Sequence, residues 1–140
     1  MFTDCPNPPN CKSMNGLITY IKSLGISYDT IQAMRKIDRK IYATTDKHPK
    51  NVYGDYPISI GYDVTISQPS LVGKMIDFLQ LTQCTKSVLE IGTGSAYNAA
   101  ILSKLLPNGI LTTVERVTPL ANRAKKLLRP YNKIHGKNWV

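Results

Sequence analysis

A chain of 140 residues is one ordinary domain and no more, and a hydrophobic fraction of 42% with 19% charged residues excludes a wholly disordered protein. No apolar run approaches the roughly 18–20 residues of a membrane helix, so no membrane role is expected. The formal net charge of +9 is uneven: after Glu115 no acidic residue remains, while Arg116, Arg123, Lys125, Lys126, Arg129, Lys133 and Lys137 follow.

The first thirteen residues read as a flexible leader. They contain no basic segment followed by an apolar stretch, so they are not a signal peptide and a cytoplasmic location is expected. Three cysteines, Cys5, Cys11 and Cys84, are too few for a disulfide framework; Cys5 and Cys11 bracket a Pro/Asn segment that a loop disulfide or metal site could close, and free thiols in a flexible leader are the preferred reading. His48 and His135 have no companion ligands at metal spacing, so both are expected at the surface and no metal site is expected.

From Met14 to Lys22, Leu17, Ile18 and Ile21 recur at helical spacing, and Gly25 ends that helix. Ser27 and Asp29 open a second helix, with Ile31, Met34 and Ile37 on one face. Residues 42–56 are turn-rich and polar and read as a loop. Ser67-Gln68-Pro69 starts another helix, whose stripe of Leu71, Val72, Met75, Phe78 and Leu79 is expected to face a core. Residues 14–81 thus form a helical subregion with one long loop.

The pattern changes at Lys86. Ser87 to Ile91 is a short strand of the buried type that runs into Gly92-Thr93-Gly94-Ser95. Ala99, Ala100, Leu102, Ser103 and Leu106 suit a helix packed on a sheet. Pro107-Asn108-Gly109 turns the chain into a second strand, Ile110 to Val114, ending at Glu115. Thr118 and Pro119 open a final helix, with Leu120, Ala124, Leu127 and Leu128 inward until Pro130. Strand, helix, strand, helix over residues 86–130 is the opening of a parallel α/β sheet.

The chemistry concentrates where the first strand ends. Glycines there let the backbone turn tightly and approach a ligand closely. Glu115, 23 residues after Gly92, closes the neighbouring strand and places a carboxylate where the two hydroxyls of a ribose would lie. The dinucleotide pattern G-x-G-x-x-G is not met, because Tyr97 occupies its last position. Glu90, two residues before the first glycine, suits a ligand with a positive sulfonium or amino group and would repel a pyrophosphate.

Asp55-Tyr56-Pro57-Ile58-Ser59-Ile60-Gly61, Thr65-Ile66-Ser67-Gln68-Pro69, Val88 to Tyr97 and Val114-Glu115-Arg116 together resemble the protein-L-isoaspartate O-methyltransferase family, with Gly25-Ile26 and Met34 to Arg39 in support. The resemblance spans about residues 14–130, and the Thr-Ile-Ser-x-Pro segment is its most family-specific part. It implies a Rossmann-like S-adenosylmethionine-dependent methyltransferase fold, incomplete at the C-terminus, with a helical N-terminal subregion. It also implies methyl transfer from S-adenosylmethionine to the α-carboxylate of L-isoaspartyl residues in damaged proteins.

On this resemblance Ser67 orients the substrate carboxylate, with Thr65 and Ile66 shaping its loop. Glu90, Gly92, Thr93, Gly94 and Ser95 line the cofactor, and Glu115 holds the ribose. Tyr53 and Tyr56 shape the entrance. Without the resemblance, Ser67 reads as a simple helix-start residue.

The chain departs from the family in three places. Ala96 stands where a third glycine is usual, Tyr62-Asp63-Val64 replaces a Gly-Gln pair, and no Gly-Asp-Gly turn or further strands follow Tyr131. The exposed inner faces of the helices at 70–80 and 119–128 would then call for a second copy or a partner chain, or for the rest of a longer product of which this sequence is a fragment. A catalytically inactive domain kept as a structural or interaction subunit is the rival reading. A nucleic-acid partner would rest on the basic run alone, and a basic helix face is the preferred reading of it.

Overall fold

Elements follow the sequence pattern closely where propensity and capping agree. In the computed structural model, residues 10–43 and 51–131 and the backbone of 134–138 are described. Helix α1 (Met14–Ser23) is capped by Ser13, whose hydroxyl accepts from the Gly16 amide at 3.1 Å. Helix α2 (Tyr28–Arg35) is capped by Ser27. Leu17, Ile18, Ile21, Ile31, Met34 and Ile37 are all buried. Asp77 ties α2 to a later helix: its carboxylate accepts from the Ser27 amide, the Ser27 hydroxyl and the Thr30 hydroxyl at 2.6–2.8 Å. A short helix α3 (Arg39–Ala43) follows.

Residues 1–9 of the expected leader, Cys5 among them, lie outside the described residues, as do His48 and the side chain of His135. The described part of the leader is packed rather than loose. Asn10 bridges to Gly54, and Cys11 is fully buried and disulfide-bonded, correcting its expected free thiol. Cys84 is free and exposed.

The N-terminal region is not wholly helical. Strands β1 (Ile58–Gly61) and β2 (Val64–Ile66) form an antiparallel hairpin. Tyr62 and Asp63 form its tip, both at φ 56, the left-handed conformation of a two-residue type I′ turn. Tyr62 and Asp63 of the departure from the Gly-Gln pair are thus an exposed turn, whereas Val64 is a half-buried residue of β2.

Helix α4 (Pro69–Phe78) begins with proline in its first turn, where a missing N–H does no harm. Its packed face is Ser70, Val72, Gly73 and Ile76. The other apolar line, Leu71, Met75 and Phe78, is exposed, with Phe78 84% accessible, so of the apolar stripe only Val72 packs and the open apolar surface expected on this helix is present. Both lines have helical spacing, and only contact with the α1–α2 pair decides which one packs.

Three strands, not two, form the main sheet. β3 (Ser87–Ile91), β4 (Ile110–Glu115) and β5 (Ile134–Asn138) are parallel in the order β3-β4-β5, joined by α5 (Tyr97–Leu105) and α6 (Thr118–Leu128). The sequence Ile-His-Gly-Lys-Asn of β5 lacks the apolar run of a central strand, as an edge position permits.

Register places Val88, Glu90, Leu111 and Thr113 on the face toward α5, while Leu89 and Ile91 point the other way and are 62% and 73% exposed. β3 is therefore an edge strand covered on one face, not the fully buried strand expected from its composition. The inner face of α6 is closed: Leu120, Ala121, Ala124 and Leu128 are buried. Arg116, Lys125, Lys126 and Arg129 face solvent, and Arg123 donates to the Tyr42 carbonyl at 3.1 Å. No described helix is long and apolar enough to cross a membrane.

Candidate functional site

At the C-terminal end of the parallel strands the chain turns from β3 into α5, where ligands of open α/β sheets bind. Register pairs Ile91 with Val114. The Val114 carbonyl then accepts from both the Gly92 and Thr93 amides, at 2.8 and 3.0 Å, and so ends the ladder. Gly92 and Gly94 have φ of +86 and +52, and the space where a side chain of Gly92 would stand is open. The glycines are thus required by conformation and leave backbone bare toward the cleft.

Ala96 also adopts the left-handed conformation, at φ 69, which costs an alanine about 1–2 kcal/mol. It is fully buried and is not among the residues lining the cleft. Its methyl therefore does not stand in the way of a ligand in the cleft. The departure is a backbone strain behind the loop.

Glu115 is the anchor of the turn. One carboxylate oxygen accepts from the Gly94 amide at 2.8 Å and the other from the Val117 amide at 2.9 Å. Each oxygen keeps a further lone pair for a ligand. Glu115 therefore fixes the glycine loop and the start of α6 relative to each other, besides presenting its charge to the cleft.

Glu90 lines the cleft and also braces it. Its oxygens accept from the Thr113 hydroxyl and, at 2.7 Å, from the Asn98 amide, and Thr113 is paired at 2.6 Å with Thr93. The carboxylate thus braces the glycine loop against β4 and α5. Burial pushes its pKa above the ordinary glutamate value of 4.5, Thr113 and Asn98 pull it back, and Glu115 adds to the rise.

A raised folded pKa means that Glu90 supports folding below its unfolded pKa and that this support is lost as pH rises through the folded pKa. Glu90→Gln abolishes that titration, and Thr113 and Asn98 can both reorient to pair with an amide. Thermal melts between about pH 4 and pH 8 are expected to show the variant gaining on the parent protein as pH rises through this window, then a constant difference. A pH-independent difference would rule out the raised pKa.

The opposite wall is the segment after the hairpin tip. Val64, Thr65, Ile66 and Ser67 line the same cleft of about 490 Å³ as Glu90, Gly92, Thr93, Gly94, Ser95 and Glu115, so every residue expected to orient the substrate or line the cofactor reaches one cavity. Their exposures differ. Thr65 and Ser67 are exposed, whereas Ile66 is 1% exposed and belongs to the core. Ser95 accepts from the Tyr97 amide at 3.2 Å and shapes the start of α5.

Ser67 is not the cap of α4. The N-cap is Gln68, without a side-chain cap bond, and the amide of Ser70 is capped at 2.8 Å by Asp55 from the preceding loop. This removes the helix-start explanation of Ser67. Tyr53 and Tyr56 do not line this cleft: their hydroxyls bond Asp38 at 3.1 Å and the Asn51 carbonyl at 3.0 Å.

Sequence reading missed Asn98, Thr113, Val117 and Arg39. A threonine pair inside an apolar strand was the visible signal for Thr113. Nothing local marks Arg39, since arginine is rarely fully buried.

Comparison with known proteins places these features. Residues 12–135 match the family model described as protein-L-isoaspartate(D-aspartate) O-methyltransferase. A relative named protein-L-isoaspartate O-methyltransferase from Fervidobacterium nodosum is 41% identical over 111 residues, covering 79% of this chain and 55% of that protein. A solved protein-L-isoaspartate O-methyltransferase superposes with a TM-score of 0.79 at 26% identity, over 90% of this chain and 42% of its own.

A structure from Plasmodium falciparum, described under the same activity and in complex with S-adenosyl-L-homocysteine, gives 0.74 at 22% identity, over 89% and 62%, and bears on the fold alone. The fold is therefore Rossmann-like. The chain spans just over half the length of the first curated relatives it matches.

Proposed function

From the premise that this chain belongs to the protein-L-isoaspartate(D-aspartate) O-methyltransferase family, we propose that its cleft binds S-adenosylmethionine and carries methyl transfer to the α-carboxylate of an L-isoaspartyl residue. The observation that carries the reading is the convergence of Ser67 and the Gly92-to-Glu115 nucleotide wall on one cleft of about 490 Å³, within the size range of small-molecule and cofactor pockets.

The residues fit the cofactor. Gly92 leaves open space beside the loop, Glu115 offers two partly used carboxylate oxygens to ribose hydroxyls, and Val114 and Val117 supply apolar wall. Glu90 and Asn98, which line the cleft, keep the loop in place together with the buried Thr113.

When bound, the sulfonium supplies an electrophilic methyl group. A carboxylate is already ionised near neutral pH, so a lone pair on its oxygen forms the new O–CH3 bond while the C–S electrons return to sulfur, and no proton needs to move. The chain's task is then to hold the carboxylate in line and keep water out. Ser67 would donate its hydroxyl to that carboxylate, and Thr65 would flank it.

The test is transfer of labelled methyl groups from S-adenosylmethionine to an isoaspartyl peptide, with the matching aspartyl peptide as control. Selective labelling of the isoaspartyl peptide is the expected result. A folded chain that labels neither peptide would overturn the assignment.

A further inference from the structure

Arg39 is 0% exposed, yet among the described residues no carboxylate bonds its guanidinium. Burying a charge without satisfying its donors costs several kcal/mol, so a buried arginine must find acceptors in defined places. Those acceptors are three backbone carbonyls: Val52 at 3.0 Å from Nε, Tyr56 at 3.0 Å from one terminal nitrogen, and Ser67 at 2.8 Å from the other. The guanidinium carbon also lies 5.5 Å from the ring centre of Tyr97, the first residue of α5 after the glycine loop, at a distance suited to cation–π attraction.

One side chain therefore joins the loop before the hairpin, the segment that ends in Ser67, and the helix that carries the nucleotide wall. Ser67 is exposed and lies outside the strand ladder, and its hydroxyl direction follows from its backbone. We propose that Arg39 is the positioning residue of the substrate side of the cleft, holding Ser67 at a set distance from the glycine loop through its backbone carbonyl. This rests on the functional reading above and extends it to a residue that touches neither substrate nor cofactor.

Lysine cannot replace it. An ammonium is a point donor, whereas the planar fork reaches three carbonyls in three directions. The test uses Arg39→Lys and Arg39→Met in the whole chain, with Asp77→Ala as a destabilised control that loses the α2 capping bonds at a different place.

Hydrogen exchange is read first, because it needs no activity. Amides of residues 52–56 and 64–68 are expected to exchange about tenfold or more faster in both arginine variants, with β4 and α5 still protected. Asp77→Ala should leave those two segments unchanged relative to the rest.

In the transfer assay Arg39→Lys is expected to raise KM for the isoaspartyl peptide about tenfold or more, with the dissociation constant of S-adenosylhomocysteine within about threefold of the parent value. Unchanged exchange at 64–68, or equal loosening of the entire domain, would overturn the positioning role. Absence of S-adenosylhomocysteine binding by the parent chain would instead remove the functional reading, and the exchange data would still decide what Arg39 holds.

Discussion

Replacing Glu115 with alanine is expected to weaken S-adenosylhomocysteine binding by about a hundredfold or more, measured by titration calorimetry on the folded chain. Two effects add. Hydrogen bonds from ribose hydroxyls to a shielded carboxylate contribute about 1.5–3 kcal/mol each, and about 1.4 kcal/mol is a factor of ten in affinity. The same substitution strips the amides of Gly94 and Val117 of their acceptor, so the loop that should meet the ligand loses its anchor as well.

Glu115→Gln separates the two effects. One amide oxygen still accepts, while the NH2 group faces a backbone N–H it cannot pair with, so an intermediate loss near tenfold is expected. Binding by Glu115→Ala at the parent affinity would remove the carboxylate from the ribose site and leave it a structural residue only.

Ser67→Ala is expected to do the reverse. Transfer to an isoaspartyl peptide should fall about tenfold to a hundredfold in kcat/KM, the loss of one hydrogen bond to a charged group in the transition state. S-adenosylhomocysteine affinity and melting temperature should stay at the parent values. Ser67 is exposed, it does not cap α4, and its carbonyl bond to Arg39 survives the change.

Ser67→Thr keeps the hydroxyl and should retain more activity than the alanine variant. A large drop in melting temperature for Ser67→Ala would mean that the hydroxyl holds the fold rather than the substrate. Together the two substitutions divide the cleft: one wall fails in nucleotide binding, the other in transfer.

The legible parts of this protein were those where a local rule is sufficient. Ser27 caps its helix, Pro69 opens α4, and Gly92 and Gly94 turn the strand end, because capping, proline geometry and positive φ depend on a few neighbouring residues. The interval from Gly92 to Glu115 was readable for a related reason. A strand–helix–strand unit of that length brings successive strand ends side by side, as the pairing of Ile91 with Val114 shows.

The sequence alone could determine the α/β character, the glycine turn, its acidic partner and the family resemblance. Only the tertiary structure decided which of two apolar lines on α4 packs, why β5 is a strand despite polar residues, that Glu90 turns inward to Thr113 and Asn98, and that Asp55 rather than Ser67 caps α4. It also decided that a buried Arg39 joins three carbonyls from separate segments. Each of these depends on partners distant in sequence. Side-chain burial and hydrogen-bond pairing are settled by what the fold brings within about 3 Å, and local pattern carries no record of that.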